Sequence, residues 1–160
     1  MNSTRLHLRL QLEIQEARNA GFDIQEEILH PSSHDVLSIV VHMNFIGRVT
    51  VRFSVEHPFK PPKITINGRC MHEAMMFRDS RLNNRYSDIS GGECICCDMK
   101  FMGSKWAPSL KLRFVLESIR DMQEKRHYVR YEKAVHSIHD KFNIPDELPI
   151  MEYVGRIETR

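Results

Sequence analysis

Two hydrophobic patterns compete in the first twenty residues. Every second position is apolar in one of them, at Leu6, Leu8, Leu10, Leu12 and Ile14. The other runs at intervals of four and three through the same stretch and continues to Ala17, as one face of a helix would. Ser3 or Thr4 can cap such a helix, Gly21 can end it, and the intervening residue types favour it. We predict an amphipathic helix over residues 3–20.

A period of two governs the next part of the chain and predicts strands at residues 22–29, 36–43 and 48–55. In the third of these segments, apolar residues alternate strictly with polar ones, which is typical of a sheet with one buried face. A short edge strand at residues 64–66 completes the set. The short connections favour pairing in sequence order, so we predict a four-stranded antiparallel meander.

Prolines mark the loop before the fourth strand. Pro58, Pro61 and Pro62 exclude both helix and central strand there. Phe59 lies within this loop and either packs inward or, if exposed, recognises another protein. Beyond it, residues 71–77 fit a helical turn, and the polar stretch 78–90 is expected to be an irregular insert.

Helical spacing returns after Ser109. The apolar positions of the first stripe are Leu112, Val115, Leu116, Ile119 and Met122, and a second stripe predicts another helix over residues 128–142. Residues 143–160 form a tail that allows one more helical turn. No repeat or linker interrupts the chain, so residues 1–160 are expected to form one α+β domain with an N-terminal helix, the meander, and two or more C-terminal helices.

Composition narrows the function classes. The 160 residues include 23 Lys+Arg against 21 Asp+Glu, and a net charge of +2 gives no basis for a nucleic-acid partner. No apolar run approaches the roughly 18 residues that span a bilayer, so no membrane partner is expected. No export signal is recognisable, and reduced thiols in the cytoplasm or nucleus are the expectation.

Three of the four cysteines crowd into four positions, at Cys94, Cys96 and Cys97. One interpretation is a reactive thiol on a loop, with Cys96 as the nucleophile. A second is a zinc site that adds Cys70 and His72, although Cys-x-Cys-Cys departs from the spacing of zinc knuckles. A third interpretation is that the cysteines are small buried apolar residues. For Cys94 and Cys97, each considered separately, this third interpretation is the favoured one.

Three motifs carry a family resemblance. They are His57-Pro58-Phe59-Lys60-Pro61-Pro62-Lys63, then Ile95-Cys96-Cys97-Asp98, then Trp106-Ala107-Pro108-Ser109-Leu110. Together and in this order, they resemble the Tyr-Pro-Phe-Lys-Pro-Pro-Lys, Ile-Cys-Leu-Asp and Trp-Ser-Pro-Ala-Leu stretches of ubiquitin-conjugating enzymes. The order of predicted elements is also similar, and the resemblance covers residues 3–142.

The resemblance implies an enzyme with a thioester on Cys96. Matching Ile-Cys-Leu-Asp implies that Asp98 lies at the mouth of the site and helps to position or deprotonate the incoming lysine. His72 matches the histidine of the family's His-Pro-Asn motif, but the proline and the asparagine are absent here. Asn83 or Asn84, in the insert, can supply the missing oxyanion amide, and we assign this role to Asn84.

The resemblance also implies partners. Arg5 and Arg9 on the first helix would dock the activating enzyme, which itself uses ATP and magnesium, so no cofactor or metal is expected on this chain. The residues implied for the surface that binds a ubiquitin ligase are Phe59, Lys60, Pro108 and Ser109. The chain would act as a monomer and pass ubiquitin, or a ubiquitin-like modifier, to a substrate lysine or a ligase. The alternative is a catalytically silent scaffold that binds ubiquitin or a conjugating partner.

The family's crossover loop between its C-terminal helices has no match. Residues 121–127 replace its Asp- and Pro-rich sequence. A second acid at the site is therefore not assigned.

Overall fold

The chain adopts an α+β fold, with an N-terminal helix, a five-stranded antiparallel sheet and a long C-terminal helix. The structure is a computed structural model that describes residues 3–28, 34–92, 94–99, 101 and 105–142. The helices are α1 (Ser3–Asn19), α2 (Met71–Met75), α3 (Ser80–Ile89), α4 (Ile95–Asp98) and α5 (Leu112–Phe142). The strands are β1 (Asp23–Ile28), β2 (Asp35–Met43), β3 (Gly47–Ser54), β4 (Lys63–Ile66) and β5 (Arg69–Cys70).

Two compact units divide the chain, one from Met1 to Arg126 and one from His127 to Arg160. The first contains the whole sheet and helices α1 to α4. Within the second, the described residues are the last sixteen of α5, and the predicted tail at 143–160 lies outside the described residues. That residues 1–160 act as a single domain stays a prediction.

Helix α1 resolves the conflict between the two hydrophobic patterns. The residues spaced by four and three are buried, and they are Leu6, Leu10, Ile14 and Ala17. Leu8 and Leu12, which belong only to the alternating pattern, are 60% and 67% exposed. The helix ends at Asn19, and Gly21 turns the chain just beyond it with a φ of +87°, which suits glycine. Phe22 donates its N–H back to the carbonyl of Ala17.

The sheet is a meander in which each strand pairs with the next along the chain. Leu37, Ile39 and Val41 of β2 lie opposite Phe53, Val51 and Val49 of β3, and all six are buried. Cross-strand pairs of apolar side chains on one face are what stabilise such a sheet, and they form the core here.

A fifth strand extends the predicted four. Asn67 and Gly68 have φ values of +50° and +78°, which is the signature of a tight hairpin turn that returns β5 onto β4. The Asn67 side chain also accepts from the N–H of Arg48 at 2.9 Å and donates to the carbonyl of Ile46 at 2.8 Å. Gly47, at the start of β3, has a φ of +91°, which favours glycine, and a Cβ there would lie 2.6 Å from Oδ1 of Asn67.

Two sequence predictions about helices are wrong. The expected break between two C-terminal helices does not exist, because residues 121–127 contain good helix formers and neither glycine nor proline, so α5 runs unbroken. The expected irregular insert contains α3, which Asp79 caps by accepting from the N–H of Arg81.

No helix in the described ranges combines the length and apolar character needed to cross a membrane.

Candidate active site

Three of the four cysteines, Cys94, Cys96 and Cys97, belong to the short helix α4 and its N-cap. Cys94 occupies the N-cap of α4, and its carbonyl accepts from the N–H groups of Cys97 at 2.8 Å and Asp98 at 2.9 Å. Gly91 and Gly92 lead into this turn with φ values of +72° and +92°, a pair of conformations that glycine adopts without strain. The glycine pair closes the end of α3, where the N–H of Gly92 donates to the carbonyl of Ser87 at 2.8 Å.

The thiols of Cys94 and Cys97 are exposed, as is that of Cys70, and none of the three is in a disulfide. The interpretation of Cys94 and Cys97 as buried apolar residues is therefore wrong. Ile95 is the residue of this turn that packs into the core. Cys96 lies within α4 by its backbone, but its side chain lies outside the described part of the chain, so its role as nucleophile stays a prediction.

The described residues give no support to the interpretation of a zinc site. No group of three or more His, Cys, Asp or Glu residues able to hold a metal occurs among the residues that the structure describes, a set without the Cys96 thiol.

Asp98 does not lie at an open mouth as the resemblance implies. Its side chain is only 4% exposed, and Oδ2 accepts from the Tyr86 hydroxyl at 2.6 Å and from Nζ of Lys125 at 3.0 Å. Lys125 also pairs with Asp121 at 2.9 Å. We call these four residues the Asp98 network. It ties α4 to α3 and α5, so the structure gives Asp98 an anchoring contact.

The electrostatics of the Asp98 network keep its donors protonated. Burial raises the pKa of Tyr86 well above its ordinary value, and the neighbouring Asp98 carboxylate adds to the effect. Burial alone would lower the pKa of Lys125, but its hydrogen bonds to Asp121 and Asp98 raise it on balance. At neutral pH, Tyr86 is therefore a protonated hydroxyl that donates a hydrogen bond, and Lys125 is a cation.

The two asparagines of the insert, Asn83 and Asn84, have different surroundings. The Asn83 amide accepts from the N–H of Phe77 and donates to the Phe77 carbonyl, both at 3.0 Å, so it holds the loop before α3. Asn84 is exposed, and its assignment as the oxyanion donor stays a prediction. His72 is also exposed, on α2.

The proline loop, residues 57–62, contacts the Trp-Ala-Pro stretch directly. The indole N–H of Trp106 donates to the Pro58 carbonyl at 2.7 Å, and the His57 ring lies 6.0 Å from the Trp106 ring, centre to centre. Phe59, within this loop, is 71% exposed, so the interpretation that it packs inward is wrong. Its recognition of another protein stays a prediction. Lys60, beside it, pairs with Glu56 at 2.6 Å and is exposed.

A buried carboxylate joins α1 to both of these segments. Glu13 is 3% exposed and accepts from Nε of Arg9 at 2.8 Å and from the N–H of Leu112 at 3.1 Å, with Nε2 of His57 at 3.5 Å. Arg9 also donates to the Pro108 carbonyl at 2.6 Å. The guanidinium of Arg9 is thus engaged inside the chain, whereas Arg5 is exposed and open to a partner.

Hydrogen bonding decides the charge of this carboxylate. Burial alone would raise the pKa of Glu13, but the hydrogen bonds from His57 and Arg9, the His57 charge and the Leu112 N–H lower it on balance. Glu13 is therefore ionised at neutral pH, and its anion occupies the N-terminus of α5, where negative charge is favourable.

Glu13, Tyr86 and Lys125 are site residues that the motifs do not indicate, and His57, which begins the proline motif, is assigned no role there. Glu13 gives one sequence signal, because it is an acid on the apolar face of α1, between Leu10 and Ile14. Tyr86 is an aromatic within an otherwise polar insert. Lys125 carries no signal, since it occupies the segment predicted to be a loop.

Comparison with known proteins leaves the class open. Neither a protein-family model nor a solved structure matches this chain.

Proposed function

We propose that this protein is a divergent ubiquitin-conjugating enzyme, which carries ubiquitin or a ubiquitin-like modifier as a thioester on Cys96. The observation that supports this most is the meeting of the three motif stretches. Trp106 binds the Pro58 carbonyl, and Lys105, next to Trp106, donates to the carbonyl of Cys97. Pro58 and Trp106, which are 48 positions apart, are therefore joined directly, and Lys105 links the stretch that contains Trp106 to the cysteine-bearing turn.

The proposed chemistry is acyl transfer in two steps. The Cys96 thiolate attacks the thioester carbonyl that joins the modifier to the activating enzyme, and the activating enzyme's cysteine leaves as a thiolate. A lysine amine then attacks the new thioester, Cys96 leaves as a thiolate, and the amine proton passes to solvent. Because Asp98 is buried and its Oδ2 accepts from Tyr86 and Lys125, we assign Asp98 to holding α4 in place.

The proposed partners follow from exposed residues. Phe59, Pro108 and Ser109 are exposed on the two segments that the Trp106 hydrogen bond joins, with Lys60 adjacent, and they form the proposed ligase surface. Arg5 is the proposed contact for the activating enzyme, which supplies the ATP- and magnesium-dependent step. The expected compartment is the cytoplasm or the nucleus, with the chain acting as a monomer.

Charging with a modifier tests the proposal. We expect that incubation with activating enzyme, ATP and ubiquitin gives an adduct on a non-reducing gel that dithiothreitol removes. Cys96→Ala should abolish this adduct, while Cys94→Ala and Cys97→Ala should each retain it. If no modifier gives an adduct, the scaffold alternative is favoured. If the adduct persists in Cys96→Ala but is lost in Cys94→Ala or Cys97→Ala, the nucleophile is that neighbouring cysteine and not Cys96.

A second prediction concerns the proposed ligase surface. Phe59→Ala should weaken binding of a cognate ligase domain by at least about tenfold, because an exposed aromatic at the tip of a rigid loop has the character of an interface hot spot. Calorimetry would measure this. Phe45→Ala is the matched control, since Phe45 is 92% exposed in the turn between β2 and β3 and should leave the affinity unaltered. Equal weakening by both variants would contradict the assignment.

A further inference from the structure

Cys94 and Cys97 are arranged as a pair across one turn. They are separated by two residues, and the N–H of Cys97 donates to the carbonyl of Cys94 at 2.8 Å. A turn closed in this way brings its first and fourth Cα atoms within about 7 Å. Disulfides span Cα separations of roughly 4.4–6.8 Å, so the backbone already sets these two cysteines near the distance that a bridge needs.

One competing pairing is excluded by distance. Adjacent residues such as Cys96 and Cys97 have Cα atoms about 3.8 Å apart, which is below the range found for disulfides. Cys70 belongs to β5, outside the turn, whereas Cys94 and Cys97 are both exposed residues of the turn. The hydrogen bond that closes the turn therefore favours Cys97 as the partner of Cys94.

We propose that Cys94 and Cys97 form a reversible disulfide, which makes this turn a redox-modified site. The oxidant is a small-molecule disulfide such as oxidised glutathione. The Cys97 thiolate attacks it and releases one glutathione thiolate, and the Cys94 thiolate then attacks the Cys97 sulfur and releases the second. Two protein thiols are oxidised, one disulfide is reduced, and the two thiol protons end on two glutathione molecules.

The bridge would regulate the site proposed above, and this part of the inference rests on the proposed function. Closing the bridge places Cys96 inside a covalent ring, because the two bridged residues, Cys94 and Cys97, lie before and after it in the sequence. Charging requires the activating enzyme's thioester carbonyl to reach the Cys96 thiol in a defined geometry, and small displacements are costly to such a reaction. Oxidation should therefore slow charging by at least about tenfold. Treatment of the oxidised chain with dithiothreitol, which is removed before the charging reaction starts, should restore the rate.

The bridge can be mapped without any modifier. The full chain is equilibrated in glutathione buffers from reducing to oxidising, open thiols are blocked with iodoacetamide, and peptides are sequenced by mass spectrometry without reductant. We expect a bridge between Cys94 and Cys97, with Cys96 and Cys70 alkylated. Cys94→Ser and Cys97→Ser should each remove it, while Cys70→Ser, which changes another exposed thiol, should retain it.

Two results would overturn the bridge. One is recovery of Cys94 and Cys97 as alkylated residues or as separate glutathione adducts in the most oxidising buffer. The other is a bridge that includes Cys96 or Cys70. Equal charging rates for the oxidised and reduced chains would overturn the regulation, whereas failure of the reduced chain to charge would overturn the proposed function and leave the mapped bridge standing.

Discussion

Replacing Glu13 with alanine is expected to lower the free energy of unfolding by about 3–5 kcal/mol near neutral pH. The carboxylate is 3% exposed and serves Arg9, His57 and the Leu112 N–H at once, so its removal leaves several polar groups without their acceptor. The cost comes mainly from His57 and the Leu112 N–H, which stay buried without this acceptor, because the Arg9 side chain is 35% exposed and can be hydrated. Urea denaturation of the native chain and the variant measures the difference.

The control is Glu16→Ala. Glu16 lies on the same helix and pairs with Lys111, next to Leu112, at 2.7 Å, but both side chains are exposed. Surface pairs of this kind contribute about 0–1 kcal/mol, so Glu16→Ala should be nearly silent. Similar losses for the two variants would show that burial does not govern the contribution of Glu13.

The Glu13 interaction also has a pH signature. The pKa of Glu13 is lower in the folded chain than its ordinary value of 4.5, so the stability it contributes is fully present above pH 4.5 and is lost as the pH falls through the folded pKa. Glu13→Gln removes the titration with little change in shape. The stability difference between the native chain and Glu13→Gln should therefore shrink as the pH falls below 4.5. A difference that grows in acid would contradict the sign.

Asp98→Ala is expected to lower the free energy of unfolding by about 3 kcal/mol and to loosen α4. The fully buried Tyr86 hydroxyl loses its acceptor, and Lys125 loses one of its two carboxylates. Hydrogen exchange at the amides of residues 97 and 98 should become faster, because α4 is a single turn that depends on the Asp98 network for its position. Chemical denaturation and exchange mass spectrometry provide the two readings.

Asp121→Ala tests whether burial or charge determines the contribution of a carboxylate in the Asp98 network. Asp121 pairs with the same lysine at 2.9 Å, but its side chain is 60% exposed. The expected loss is below about 1 kcal/mol, with no change in exchange at α4. If Asp121→Ala matched Asp98→Ala in both readings, the position of α4 would depend on the charge of Lys125 rather than on the buried Tyr86 to Asp98 bond.

Periodicity predicted the sheet and α1 well because these elements have one buried face and one exposed face. The burial of Leu10 and the exposure of Leu12 are direct consequences of the helical interpretation. The pattern failed where the local signal was weak or hidden. The Asn67-Gly68 turn is a recognisable hairpin signal, yet the two-residue strand after it is too short to show alternation. The break expected in α5 had no glycine or proline to cause it.

The candidate site could be predicted only in part. The motif stretches indicated which segments would meet, and Trp106 and Pro58 do so. Spacing along the sequence could not show that Asp98 faces Tyr86 and Lys125, because these contacts depend on how α3 and α5 pack around one helical turn. Nor could it show that Asn83, rather than Asn84, holds the loop at Phe77.

The Glu13 contact has a consequence for deletion experiments. The first amide of α5 takes its capping acceptor from a residue 99 positions earlier in the chain. A variant that lacks α1 would therefore have an uncapped N-terminus on α5. Any loss of activity in that variant could come from the missing cap as well as from a missing partner surface. Charge reversal at Arg5, which is exposed, leaves the cap intact and therefore tests the proposed contact with an activating enzyme by itself.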